Sequence, residues 1–147
     1  MNYKHETPFD IYPATKEEAE FVDNKLLAEF NRSQIPVTQE PTLILKNYVI
    51  KDDNGTIIAG IKSDIYYWGI LYVEVLFVEK NHRHKGLGST LLQKVEQEAK
   101  AMGGTLAHLD TFDFQARDFY LQHGYEIFGI LEDCPKGHKR YYLKKKL

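Results

Sequence analysis

The sequence predicts a mixed α/β fold, and the order of three segments carries that prediction. Residues 72–78 form a run of β-branched and aromatic residues, which is typical of a strand. An amphipathic segment of helical period follows, and residues 105–111 form a second strand-like run. A strand, a helix and a strand in this order make a right-handed crossover unit, whose two strands lie parallel. We therefore expect a mixed sheet that contains a parallel pair.

The first elements along the chain are a candidate strand at residues 3–10 and a helix. Thr15 and Glu18 have the spacing of a capping box, in which a hydroxyl and a carboxylate cap the start of a helix. We expect this helix to end near Arg32. Its apolar stripe, which we expect to be buried, consists of Ala19, Val22, Leu26, Leu27 and Phe30.

A β-hairpin is predicted next. Residues 42–51 and 56–64 have strand-like patterns, and Asp53-Asn54-Gly55 between them supplies residues that tolerate a positive φ. The proline-bracketed loop at residues 36–41 either lines a substrate cleft or is a plain connection. The aromatic residues 66–68 either border such a cleft or pack in the core or at an edge.

A basic glycine loop at residues 83–89 precedes the long helix, which begins at Leu87 and ends before Gly103-Gly104. The first turn of a helix has N–H groups without intrahelical partners, and the helix dipole adds positive charge there. Glycine has no Cβ atom, so it leaves the backbone open to a ligand. The loop therefore predicts a phosphate or diphosphate site. Its residues are Arg83, His84, Lys85, Gly86, Leu87, Gly88 and Ser89.

The C-terminal third of the chain predicts a short helix and two strands. The helix spans residues 114–123, and Gly124 is placed to end it. The strands span residues 125–131 and 138–143. They complete a chain that we expect to form one domain, residues 1–147.

Composition excludes several classes of protein. A net charge of −2 disfavours a general nucleic-acid binder, and no apolar run approaches the roughly 20 residues that span a bilayer. The polar residues 1–10 lack a secretion signal, and one cysteine, Cys134, cannot form an internal disulfide. We therefore expect a cytoplasmic protein. The six histidines are scattered without a zinc-ligand spacing, so we expect no metal.

Two motifs resemble the GNAT superfamily of N-acetyltransferases, in particular its small bacterial-type single-domain members. The loop from Arg83 to Gly88 has the form R-x-x-G-x-G and resembles the acetyl-coenzyme A loop of that superfamily. Residues 116–125 resemble its A-x-x-[FL]-Y-x-x-x-G-[FY] segment. The resemblance covers about residues 15–143. One departure is Asp113, which stands where many members have Asn.

The resemblance implies a fold and a cofactor. The implied fold is a mixed, mostly antiparallel sheet of six to seven strands with helices on both faces. Its central parallel strands, residues 72–78 and 105–111, splay apart and admit acetyl-CoA between them. The implied cofactor contacts are Leu76, Phe77, Val78, Arg83, His84, Lys85, Gly86, Leu87, Gly88, Ser89, Asp113, Ala116 and Tyr120.

The resemblance also implies direct transfer of an acetyl group to a primary amine. A backbone N–H near Phe77 or Val78 then stabilises the oxyanion. Tyr120 is the candidate acid for the leaving thiolate; its alternative role is packing over the sulfur. The pKa of an ordinary tyrosine is about 1.5 units above that of a thiol, so proton transfer from the tyrosine to the thiolate costs roughly 2 kcal/mol.

Glu74 is the candidate general base. Strict alternation along residues 72–78 places it on one face of the strand with Tyr72 and Leu76. The opposite face then carries Val73, Val75 and Phe77. A carboxylate inside an apolar strand is costly unless it is functional or paired. Three alternatives remain for Glu74: it acts as the base or through a water relay, it forms a structural ion pair, or a twist of the strand exposes it to solvent. His108 and Asp110 either contact the acceptor or form hydrogen bonds in the core.

Two other classes of function remain open on the sequence. A non-catalytic CoA-binding regulatory or interaction module has the same loop, and so does a nucleotide-phosphate binder unrelated to CoA. The acceptor is a small-molecule or peptide amine that the sequence does not select, although Glu132 and Asp133 favour a cationic one. A homodimer through the C-terminal strands is implied only by the resemblance.

Overall fold

The computed structural model describes residues 8–147 as two compact units, one that ends at Pro36 and one that spans Val37–Leu147. Most of the strand predicted at residues 3–10 lies outside the described residues, and Pro8, Phe9 and Asp10 belong to no strand. The prediction of a single domain stays a prediction.

The first unit is one helical run. It consists of α1 (Lys16–Asp23), a π-helical segment (Asn24–Phe30) and α2 (Asn31–Gln34). The capping box is confirmed, because the Glu18 N–H donates to the Thr15 hydroxyl and the Thr15 N–H donates to the Glu18 carboxylate. The expected burial of the apolar stripe is wrong: its aromatic and aliphatic members are exposed. Among residues 8–36, the helical run has no further helix or strand of its own unit to pack against.

The second unit is built on a seven-stranded sheet. The strands are β1 (Leu43–Leu45), β2 (Tyr48–Lys51), β3 (Ile57–Tyr66), β4 (Ile70–Val78), β5 (Leu106–Phe112), β6 (Glu126–Glu132) and β7 (Lys139–Lys146). Their order is β1-β3-β4-β5-β7-β6, with β2 also paired to β3. Only β4 and β5 pair in parallel among the described ladders, so the predicted mixed, mostly antiparallel sheet is confirmed.

The predicted hairpin is confirmed, with one interruption. β2 pairs with β3 across a turn in which the Gly55 N–H donates to the carbonyl of Asp52. The predicted first strand is broken at Lys46 and Asn47. Both residues hydrogen-bond to Ser63 of β3, which replaces the regular ladder at that point.

Helix α3 (Leu87–Ala101) covers one face of the sheet, and the short helix α4 (Arg117–Gln122) follows β5. Leu92, Val95 and Ala99 of α3 are fully buried, as the helical period predicts. These side chains form one core with residues of β3, β4, β5 and β7. Hydrophobic burial on this face therefore fixes the start of α3 against the end of β4.

A β-bulge in β4 decides which side chains face the core. Val73 pairs with Ser63 and Val75 pairs with Lys62, so Glu74 is an extra residue without a partner on β3. Directly paired residues share a face of the sheet. Val75 therefore lies on the open face with Lys62, and Phe77 follows it there; both are about half exposed.

The strict alternation expected for residues 72–78 is wrong beyond the bulge. Leu76 pairs with the buried Ile61, and Leu76 and Val78 pack against the core instead of sharing a face with Glu74. The physical reason is the extra residue, which reverses the side-chain parity of the strand.

Candidate active site

The parallel strands β4 and β5 separate to form a cleft. Their ladder joins Leu71–Val73 to Ala107–Leu109. Beyond the ladder lies a cleft of about 850 Å³, whose walls are the second half of β4, the glycine loop, the end of β5 and helix α4. Glu74 and Tyr120 both line it. Every predicted cofactor-contact residue lines it except Lys85.

The glycine loop has the geometry of an anion site. Gly86 is the N-cap of α3 with φ of +79°, and it makes no side-chain capping bond. A Cβ at Gly86 would meet nothing within 4 Å, so glycine is needed there for its conformation. The N–H groups of the first turn have no intrahelical acceptors. Arg83 Nε donates to the carbonyl of Val78 over 3.1 Å, which ties this loop to the end of β4.

Gly88 is needed for space, although not for the space of a ligand. A Cβ there would lie 3.3 Å from Cζ of Phe119 and 3.7 Å from a methyl carbon of Val78. From the sequence, we expected the missing Cβ of Gly88 to leave room for a ligand. That expectation is wrong, because protein side chains border the space where this Cβ would be. The missing side chain allows α4 to pack against the first turn of α3.

Tyr120 is almost fully buried, with only 5% of its surface exposed. Its ring makes edge-to-face contacts with Phe119 and Tyr125. Burial, with a smaller effect from the charge of Asp110, raises the pKa of Tyr120 to about 12. The hydroxyl is therefore a weaker acid than the ordinary tyrosine assumed from the sequence.

Glu74 lies at the bulge on the open face of the sheet, where half of its side chain is exposed. Its Oε2 is 3.6 Å from Nζ of Lys62. The expectation of a carboxylate inside an apolar strand is wrong, because the bulge gives Glu74 solvent and a cation. Burial, followed by the negative charge of Glu74, raises the pKa of the nearby Asp64.

The same face carries a polar network on β3, β4 and β5. The Tyr66 hydroxyl and Nε2 of His108 form a hydrogen bond of 2.7 Å, and Tyr72 donates to Asp110 over 3.2 Å. Burial outweighs the opposing charge of Asp110 and lowers the pKa of His108. The imidazole is therefore neutral at pH 7. This hydrogen bond favours the structural alternative for His108, and Arg140 likewise engages Asp110.

Asp113 contacts the neighbouring strand. Its two oxygens accept hydrogen bonds from Nδ1 of His138, at 2.9 Å, and from the backbone N–H of Lys139, at 3.0 Å. Burial acts to raise the pKa of Asp113, but these hydrogen bonds together lower it. Asp113 also borders the cleft. Although it stands where many superfamily members have Asn, its side chain holds the start of β7 in place.

The cleft side chains that sequence reasoning did not assign to the site include Gln115, Phe119 and His123. Gln115 accepts the N–H of Phe112 over 2.9 Å, and His123 is 2.7 Å from Oγ of Ser89. Phe119 lies in α4 and His123 caps its C-terminus four residues later, and their tilted rings are in contact with centroids 4.3 Å apart. That spacing was a signal in the sequence, but nothing there showed that α3 lies beside it.

Within residues 8–147, no group of three or more histidine, cysteine or acidic residues is arranged to hold a metal ion. No helix in the described part of the chain is long and apolar enough to cross a membrane.

Comparison with known proteins identifies the family. Residues 8–125 match the family model described as "Acetyltransferase (GNAT) family". The chain is 32% identical over 96 residues to blasticidin-S acetyltransferase of Streptomyces morookaense, an alignment that covers 65% of this chain and 70% of that protein. This protein therefore belongs to the GNAT family of acetyltransferases.

Solved structures agree with this assignment. The crystal structure of an acetyltransferase from Bacillus cereus superposes with a TM-score of 0.83 at 34% identity, and covers 95% of this chain and 98% of that one. An aminoglycoside 6′-N-acetyltransferase complexed with coenzyme A superposes with a TM-score of 0.60 at 18% identity. That alignment covers 90% of this chain and 81% of the other, and at this identity it shows the fold alone.

Proposed function

We propose that this acetyltransferase moves an acetyl group from acetyl-CoA directly to a primary amine of a small molecule. One observation carries the proposal: the open amides at the start of α3 border the same cleft as Glu74 and Tyr120. A diphosphate on this loop directs the rest of a CoA molecule toward the gap between β4 and β5. The name of the blasticidin-S acetyltransferase supports a small-molecule acceptor.

The cleft fits CoA by an observation independent of the family. The first turn of α3 offers N–H donors, and the position of a Gly86 Cβ is open space. Arg83, His84, Gly88 and Ser89 would hold the diphosphate, and Leu76, Phe77 and Val78 would flank the pantetheine arm. When bound, the cofactor supplies a thioester as acyl donor.

The residues of the chain then have distinct roles. Glu74, directly or through water, accepts the proton of the attacking amine, whose ordinary pKa near 10.4 keeps it charged at pH 7. A backbone N–H of β4 near Phe77 or Val78 stabilises the oxyanion. Tyr120 donates a proton to the leaving sulfur.

The buried state of Tyr120 makes its proton transfer harder than the sequence suggested. The pKa of Tyr120 is about 12 and that of a thiol is about 8.5, so the difference is about 3.5 pKa units. Proton transfer from Tyr120 to the thiolate therefore costs roughly 5 kcal/mol. A turnover of about 10 per second corresponds to a barrier of roughly 16 kcal/mol, so this cost is still compatible with catalysis. The burial of Tyr120 also limits the contact of its hydroxyl with bulk water.

The test is a screen of small amines with acetyl-CoA, read by release of the free thiol. CoA at 100 times its Kd should stabilise the fold by about 2.7 kcal/mol, which a rise in Tm reports. Tyr120→Phe should bind CoA normally and lower kcat by about 100-fold or more. Binding of CoA with no turnover of any amine would support a non-catalytic module; no binding at all would remove the proposal.

A further inference from the structure

The protonation of His123 sets the direction of its hydrogen bond with Ser89. Nδ1 of His123 is 2.7 Å from the carbonyl oxygen of Phe119. A carbonyl only accepts, so Nδ1 carries a hydrogen, and in a neutral imidazole Nε2 is then a bare acceptor. The Ser89 hydroxyl is 2.7 Å from Nε2, and it is therefore the donor of that contact whenever the imidazole is neutral.

This direction matters for an anion at the glycine loop. Ser89 is in the first turn of α3 and lines the cleft together with Gly86 and His123. While its hydrogen points to His123, the Ser89 oxygen presents only lone pairs to the cleft, and lone pairs repel a phosphate oxygen. If Nε2 gains a proton, it becomes the donor to Ser89, and the hydroxyl hydrogen is released for the phosphate.

We propose that His123 is a positioning residue for cofactor binding: a diphosphate at the loop draws one proton from solvent onto Nε2, which turns the Ser89 hydroxyl into a phosphate donor. This inference rests on the proposed function, because it takes the loop as the diphosphate site. Only one proton is transferred, from solvent to Nε2; the hydroxyl hydrogen stays on Ser89 and turns from His123 toward the phosphate.

The charges around His123 favour this coupling. The titratable and charged groups on the neighbouring elements are His82, Arg83 and His84 of the loop, Arg117 and Asp118 of α4, and Lys145 of β7. Three of them form ion pairs of their own, since Arg117 pairs with Asp118 and Lys145 pairs with Glu96. A diphosphate bound at the loop would add negative charge beside the imidazole, and a nearby negative charge favours the protonated ring.

The experiment is calorimetric titration of the full chain with CoA at pH 6, 7 and 8, each in two buffers of different ionisation enthalpy. The difference in heat gives the number of protons taken up. The phosphate of CoA titrates near pH 6 in every case, so only differences between variants are interpreted. We expect the wild type to take up as much as one proton more than Ser89→Ala at pH 7 to 8, and Ser89→Ala to weaken CoA binding about tenfold at pH 6 and less at pH 8.

Two further variants separate positioning from simple packing. His123→Gln has an amide that donates to Ser89 without protonation, so its affinity should stay at the wild-type pH 6 level through pH 8, with no extra proton taken up. Thr90→Ala removes the neighbouring hydroxyl, which donates to the carbonyl of Gly86 and not to His123, so the proton uptake of this variant should equal that of the wild type.

Equal proton uptake by the wild type and Ser89→Ala would overturn the inference and leave the pair as a structural tie between α3 and α4. Failure of the wild type to bind CoA at all would instead overturn the proposed function. If His123→Gln does not fold, as judged by circular dichroism, the comparison of Ser89→Ala with Thr90→Ala decides alone.

Discussion

Phe119 of α4 occupies the space that a side chain at Gly88 of α3 would need, with its Cζ 3.3 Å from the position of the absent Cβ. Gly88→Val would push against both Phe119 and Val78, and we expect it to cost about 1–2 kcal/mol of unfolding free energy. Urea denaturation without cofactor measures this change.

A matched double variant tests the cause of that cost. Gly88→Val combined with Phe119→Leu creates room for the added methyl groups, so it should recover part of the loss in a double-mutant cycle. Purely additive costs would show that the two residues are not in steric contact.

The left-handed conformation of Gly86, with φ of +79°, allows a clean test of the diphosphate site. Aspartate and asparagine both tolerate this conformation and have nearly the same shape, but only aspartate repels a phosphate. After screening in an exposed loop, we expect Gly86→Asp to bind CoA at least about tenfold more weakly than Gly86→Asn. Equal Kd values in calorimetry would place the diphosphate elsewhere.

The ion pair between Glu74 and Lys62 separates a catalytic role from a structural one. If Glu74 is the base, Glu74→Gln should lower kcat by about 100-fold or more with little change in the Kd of CoA. Lys62→Met removes the ion pair and keeps the carboxylate, so it should retain most of the activity. A rate for Glu74→Gln within about threefold of the wild type would exclude the base role; similar losses in both variants would indicate that the pair is structural.

Local patterns predicted most of the second unit. The helical period of residues 87–102 placed α3, and the β-branched runs on either side placed β4 and β5 as a parallel pair. The glycine loop was also found, because the strand–loop–helix order and the affinity of a helix N-terminus for an anion are both local properties. These features depend on neighbours in sequence, and they could be read without a tertiary structure.

The features that the sequence did not reveal depend on partners far along the chain. The bulge at Glu74 exists only in the register of β4 against β3, so strict alternation assigned Leu76, Val75 and Phe77 to the wrong faces. The reason for Gly88 is a ring from α4, 31 residues later. Local sequence shows periodicity and turn chemistry, whereas strand register and helix packing arise from the assembled sheet.

Tyr125 is a buried tyrosine whose hydroxyl has no hydrogen-bond partner among the described residues. At pH 7, Tyr125→Phe removes an unpaired polar atom, so stability should stay constant or rise by about 1 kcal/mol.

The same variant should change the response to alkali. Burial raises the pKa of Tyr125, and burial also raises the pKa of Tyr120 to about 12, whereas both have a pKa of about 10 in the unfolded chain. Their stabilising effect is therefore complete below pH 10. Above pH 10 the unfolded chain loses protons that the folded chain keeps, and stability falls by about 1.4 kcal/mol per pH unit for each such tyrosine. The unfolding free energy, measured by urea denaturation from pH 9 to 11, should therefore fall less steeply above pH 10 in Tyr125→Phe than in the wild type, by about 1.4 kcal/mol per pH unit. An unchanged slope would mean that Tyr125 ionises in the folded protein as it does in the unfolded chain.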